Sequence, residues 1–300
     1  MIKAQNLTKS FEDIVALDNL DITIDRGSLY GLVGSNGSGK STLLRLIAGV
    51  YRPDGGTVTV DGSPVFEDTA VKDRIFFLSD DLYFLHKATV DEMAAFYRGI
   101  YDRFDMEKYR KIKSVFPIDT TKRIANFSKG MKRQAAILLA LSSCPDYLLL
   151  DEAFDGLDPV IRLLVKRLVM DEIADRQMTV IATSHNLREL EDMCDQVGLL
   201  HKGRVLFQRD LDELKLGFCK VQAVFDGPAP DWKTIGLSIL QARQQGSIHS
   251  LLVRGNAQEI LAVLQTQPGS VFCEAIPMTL EEVFIGEMEA VGYDYSNILF

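Results

Sequence analysis

The chain has 300 residues, room for one large domain or two modest ones. Its 47% hydrophobic and 25% charged residues are those of a globular protein, which excludes the disordered and fibrous classes. Thirty-three Lys and Arg against 42 Asp and Glu leave a net charge of −9, so no nucleic-acid partner is expected from a chain without an overall basic balance.

The longest apolar runs, 135–141 and 147–150, are broken by Ser142, Ser143, Pro145 and Asp146. Neither approaches the roughly 20 residues needed to cross a bilayer. The first residues, Met1-Ile2-Lys3-Ala4-Gln5, lack the apolar core of a signal peptide, and position 2 is not the Gly required for myristoylation. Cys144, Cys194, Cys219 and Cys273 show no CxxC spacing and read as reduced thiols used as small apolar residues. A cytoplasmic setting follows as the expectation.

In chain order, β-rich runs at 29–33, 74–78, 147–150, 179–183 and 197–200 alternate with helical patterns. This alternation predicts an α/β fold on a mainly parallel sheet, and the continuous apolar runs suit strands buried on both faces. Thr89 with Glu92 three residues on forms a capping box, followed by Met93, Phe96, Tyr97, Ile100, Tyr101 and Phe104 at helical spacing. That stripe is expected to be core. Beyond Asp210 the texture changes: strand-like pieces at 220–225, 237–242 and 250–254 are punctuated by Gly and Pro. A helix over 257–265, a strand over 270–275 and a helix after Thr279 complete what reads as a small α+β domain with no catalytic constellation.

The segment Gly34-Ser35-Asn36-Gly37-Ser38-Gly39-Lys40-Ser41 matches G-x-x-x-x-G-K-[ST], between a predicted strand and a helix opening at Thr42. Glycines let the backbone wrap an anion, and successive N–H groups at a helix N-terminus point positive dipoles at phosphates. Lys40 is expected to reach the β- and γ-phosphates and Ser41 to coordinate Mg²⁺, so the chain is predicted to bind a nucleoside triphosphate.

Tyr147-Leu148-Leu149-Leu150-Asp151-Glu152 delivers two carboxylates at the end of an apolar strand, where ligands sit in parallel sheets. Asp151 is the candidate Mg²⁺ holder, and Glu152 the candidate general base that polarises the attacking water.

With Phe127-Ser128-Lys129-Gly130-Met131 upstream, these motifs resemble the ATP-binding subunit of an ABC transporter over residues 2–210. The F/Y-S-K-G-M form of the signature, and the tail Thr279-Leu280-Glu281-Glu282-Val283-Phe284, resemble the branch exporting drugs, antibiotics or peptides. The resemblance implies a P-loop ATPase of ABC type over 1–210: a mainly parallel sheet core, an antiparallel β edge and a helical subdomain near 81–140. The α+β domain takes 215–300.

Residue by residue, Phe11 matches the aromatic position that stacks on adenine. Ser128 and Gly130 match the positions that contact the γ-phosphate of ATP held by the opposite subunit; Ser128 also suits an N-cap whose helix dipole faces that phosphate. Asp155-Gly156-Leu157-Asp158 resembles the loop that crosses the dimer interface, and His185 matches the histidine that senses the γ-phosphate. There are departures. Asp80 stands where the family has Gln, and it either substitutes as an Mg²⁺ ligand or adds charge that weakens triphosphate binding. Lys129 and Met131 replace a Gly and the Gln of the signature.

The resemblance thus implies an ATP- and Mg²⁺-dependent ATPase, docked on the cytoplasmic face of a membrane through transmembrane permease subunits. A second copy or a close homologue would complete each site. Alternatives are a soluble ABC ATPase outside transport or a regulatory ATP-binding module. Lys40 and Ser128 lie too close in sequence for the long coiled coil of chromosome-maintenance ATPases.

Overall fold

The computed structural model describes residues 1–184, 190–191, 193–211, 213, 217–276 and 278–284. They form two compact units, 1–208 and 209–300.

The first unit opens with two long strands, β1 (Ile2–Phe11) and β2 (Ile14–Ile24), paired antiparallel. Strand β3 (Leu29–Val33) is buried throughout and runs through the Gly-rich loop into helix α1 (Lys40–Ile47). Next come β4 (Gly55–Val60), β5 (Ser63–Pro64), the short helix α2 (Thr69–Lys72) and β6 (Ile75–Leu78). The sheet β2-β1-β4-β5 is the antiparallel edge.

Three helices follow: α3 (Val90–Arg98), α4 (Met106–Lys113) and α5 (Lys129–Ser142). The capping box at Thr89 and Glu92 is formed in both directions, at 3.1 and 2.8 Å. Asp105 caps α4 through the N–H groups of Glu107 and Lys108. Asp91 of α3 binds both the Tyr109 hydroxyl and the Lys113 ammonium of α4, tying the two helices together. Residues Arg133 to Ser142 of α5 are all buried, as expected for a helix apolar on every side.

The chain then returns to the core through β7 (Tyr147–Asp151), α6 (Pro159–Arg176), β8 (Thr179–Ser184), β9 (Gln196–His201) and β10 (Arg204–Asp210). The second sheet has the order β10-β9-β3-β8-β7-β6, with parallel pairing from β9 through β6. Its central strands carry no exposed residue because α1 and other apolar faces cover them; Leu32, Leu43, Ile47, Leu149 and Ile181 share one core.

The aromatic stripe after Thr89 departs from expectation. Met93 is buried, but α3 ends at Arg98, and Phe96 and Ile100 are 42% and 52% exposed. Phe96 lies within α3 on a side that its buried residues Val90, Met93 and Ala94 do not share, and Ile100 lies past the helix end, whereas Phe104 is buried as expected. Tyr97 and Tyr101 instead stack around Phe76 of β6, with ring centroids 5.8 and 5.4 Å from it.

The second unit is a four-stranded antiparallel sheet in the order β12-β13-β11-β14, formed by β11 (Phe218–Phe225), β12 (Ser238–Gln245), β13 (Ile248–Arg254) and β14 (Ser270–Ile276). Helix α7 (Ala257–Gln265) covers one face, where Val221, Leu251 and Val253 meet Ile260 and Leu264. Thr279 and Glu282 exchange capping bonds at the start of a helical turn over 280–284.

Candidate nucleotide site

The loop between β3 and α1 holds its shape by contacts that only glycine allows. A Cβ on Gly34 would lie 2.2 Å from the Leu200 carbonyl oxygen and 2.6 Å from Ser38 Oγ. Gly39 has φ 110° and would drive a Cβ to 2.6 Å from the Ala16 carbonyl oxygen. The Ser38 N–H donates to Ser35 O at 3.1 Å, and Gly203 N–H donates to Ser38 O at 2.9 Å. Asn36 and Gly37 face solvent at the tip, while Ser41 and Thr42 begin α1 half-buried.

Lys40 is buried and folds back over this loop, donating to Gly34 O at 2.6 Å and Ser35 O at 3.1 Å. Burial lowers its pKa, with the nearby Glu152 and Asp151 carboxylates opposing the shift. An ammonium held among carbonyls beside a helix N-terminus forms, with the loop N–H groups, a cationic cradle suited to phosphate oxygens.

Asp151, at the end of β7, is 1% exposed. Its Oδ1 accepts from Ser41 Oγ at 3.1 Å and from Thr183 Oγ1 at 2.9 Å. Its Oδ2 is buried and has no hydrogen-bond partner. A hydroxyl and a buried carboxylate with one oxygen unpartnered is the oxygen donor set that Mg²⁺ favours when phosphates supply the rest, so these residues fit the ion. Glu152 follows at φ 49°, a conformation uncommon outside glycine, and its N–H donates to Thr183 Oγ1 at 3.0 Å. Thr183 thus joins both acidic positions. Its signal in the sequence was a hydroxyl ending the apolar run beside the one that carries Asp151, with which it is in register.

Phe11 ends β1, 39% exposed, edge-on to Tyr51 at 5.3 Å, with Lys9 Nζ 5.3 Å from its ring centre. An aromatic face left half open is available for stacking.

At the start of α5, Ser128 Oγ accepts from the Met131 N–H at 3.2 Å, the N-cap expected of it. The signature touches the segment 155–158 of its own chain: Lys129 Nζ lies 2.9 Å from Asp155 Oδ2, and a Cβ on Gly130 would fall 2.7 Å from Gly156 O.

Asp80 does not share the Ser41–Asp151–Thr183 hydrogen-bond network. Its carboxylate binds Arg133 of α5, whose side chain is fully buried. Sequence reasoning passed over Arg133, because an Arg on the second turn of a helix ordinarily faces water. His185 lies outside the described residues.

The sequence profile described as ABC transporter matches residues 17–155. The chain is 33% identical to the ABC transporter ATP-binding protein YtrB of Bacillus subtilis (strain 168), over 96% of this chain and 98% of that one. It is 32% identical to the bacitracin transport ATP-binding protein BcrA of Bacillus licheniformis, over 72% of this chain and 71% of that one. Its fold is similar to the dimeric post-hydrolysis ATP-binding cassette MJ0796 bound to ADP and Pi, with TM-score 0.61 and 23% identity, covering 70% of this chain and 99% of that one. The chain belongs to the family of ABC transporter ATP-binding proteins.

Proposed function

We propose that two copies of this chain, or one copy and a close homologue, close around ATP and Mg²⁺ and drive an exporter of drug-, antibiotic- or peptide-like cargo. The observation that carries the reading is the Ser41–Asp151–Thr183 network beside the Lys40 cradle. Gly34 to Thr42 wrap the triphosphate, with Lys40 exchanging its carbonyl partners for phosphate oxygens. Phe11 stacks on the adenine. Ser41 and Asp151 hold Mg²⁺, which when bound neutralises phosphate charge. Glu152 takes the proton of the attacking water, and His185 assists at the γ-phosphate. Ser128 and Gly130 of one subunit seal the site of the other.

The surface chosen for the permease is the groove beside β6. It is an open groove of about 180 Å³, lined by Phe76, Leu78, Leu82, Tyr83, Tyr97 and Ala136, among others. Tyr83 is 80% exposed at its rim, an apolar side chain waiting for cover. No helix among the described residues is long and apolar enough to cross a membrane. In this reading, supported by kinship to transporter ATP-binding proteins, the permease is on separate subunits and this chain on the inner membrane face. Kinship to a bacitracin transport subunit supports an antibiotic-like cargo.

The test is Glu152→Gln. The purified variant should bind ATP, form dimers with ATP but not ADP, and hydrolyse at under about a hundredth of the wild-type rate, the span expected of a lost general base. Near-normal turnover would remove Glu152 from its role.

A further inference from the structure

Arg133 is an unusual way to fill a core. Its side chain is 0% exposed, Nη2 binds Asp80 Oδ1, and Nε and Nη1 have no hydrogen-bond partner. Five donors and a full charge are therefore compensated by a single carboxylate that is itself 51% exposed. As a stabilising device this is poor, because an apolar side chain of similar volume would pack at least as well. It is effective as a link. Moving Asp80 away from α5 would leave an uncompensated cation in the core, so the two elements are penalised for moving separately.

The elements it joins matter. Arg133 lies five residues after Ser128, on the helix whose N-terminus carries the signature, and Ala136 on the same helix lines the groove. Asp80 lies between Ser79 and Asp81, both of which also line that groove. One ion pair thus fastens the signature helix to the segment leading into the apolar pocket.

We propose that Arg133 is a positioning residue: through Asp80 it makes the signature helix and segment 79–84 move as one body, so that whatever occupies the groove biases ATP-driven closure at Ser128. Asp80 serves this link rather than the metal. The inference rests on the reading that Ser128 meets nucleotide across a dimer and that the groove receives the permease.

The experiment compares Asp80→Asn, Arg133→Met and the double variant in full-length Glu152→Gln protein. ATP-driven dimerisation is followed by light scattering at varied Mg²⁺, with ATP binding to the monomer measured alongside. Each single variant should weaken dimerisation about tenfold or more, and the double variant no further than the worse single. Half-saturating Mg²⁺ and monomer ATP affinity should not move, and Arg133→Lys should recover part of the loss. A rise in half-saturating Mg²⁺ confined to Asp80→Asn would overturn the proposal in favour of a metal ligand. Lowered melting temperatures with unchanged dimerisation would reduce the pair to a structural one. Should the single variants not fold, a double variant that dimerises like its parent is equally decisive against the link. If the Glu152→Gln parent itself forms no ATP-dependent dimer, the dimer reading fails first and takes the proposal with it.

Discussion

Thr183 Oγ1 donates to Asp151 Oδ1 at 2.9 Å and accepts the Glu152 N–H at 3.0 Å, so one hydroxyl orients both acids of the site. Thr183 is fully buried, and the parallel register of β7 and β8 sets it opposite Asp151. Thr183→Val keeps the shape and strand propensity while removing both bonds. The expected outcome is a stability loss of about 1–3 kcal/mol, the cost of leaving buried polar groups unpaired, and a higher Mg²⁺ requirement for turnover. Thr183→Ser should recover most of the activity. Denaturant unfolding and Mg²⁺-dependent ATPase assays check both; a Val variant with unaltered metal dependence would remove Thr183 from the site.

Lys40 gives a second test, because its charge is buried for nucleotide rather than for the fold. Burial is the main cause of its lowered pKa. A lysine with a folded pKa below its unfolded one is a cost to stability while charged, and the cost is relieved as pH rises through the folded value. Lys40→Met removes that cost and two bonds to carbonyls together, so the nucleotide-free variant should melt within a few degrees of wild type. ATP should raise the melting temperature of wild type and not of the variant. Thermal melts with and without ATP are sufficient.

Much of this could be read before the fold was seen, for physical reasons. A phosphate cradle needs glycines where a Cβ would strike backbone, as at Gly34 and Gly39, and that demand leaves a fixed spacing in the chain. Buried parallel strands such as 147–151 leave continuous apolar runs. Pairings between distant segments leave no such mark. Nothing around position 133 announces a buried cation, and its bond to Asp80 leaves no trace in the sequence because the two lie 53 residues apart. The exposure of Ile100 was hidden for a different reason: it lies past the end of α3, and periodicity does not report where a helix stops.

Gly130 tests the contact between signature and the segment 155–158. Its missing Cβ lets Gly156 O approach, and an added methyl would lie 2.7 Å from that oxygen. Gly130→Ala must push the two segments apart by several tenths of an ångström. Gly130 is half-buried and the clash falls on backbone, so the variant should still fold but lose about 1–3 kcal/mol of stability. ATP binding to the monomer should persist while turnover falls at least tenfold. Unchanged turnover would mean that the contact plays no part in closure.

The last test concerns acid. Asp146 receives Arg74 Nε at 2.7 Å and Arg103 Nη1 at 2.7 Å, and Arg74 also reaches Asp61. Burial alone would raise the Asp146 pKa, but the two guanidinium groups outweigh it and hold the carboxyl below its usual range. A carboxyl lowered in the folded state contributes stability that is complete above the unfolded pKa, about 3.9, and lost as pH falls through the lower folded value. Asp146→Asn should therefore cost about 1.5–3 kcal/mol at pH 7, the range for hydrogen bonds to charged groups. Between pH 7 and 5 the gap from wild type should stay constant, and below pH 4 it should narrow. Urea unfolding at pH 7, 5 and 3.5 reads the gap directly. A difference that instead grew toward acid would show that the neutral carboxyl, not the ion pair, is what Arg74 and Arg103 hold.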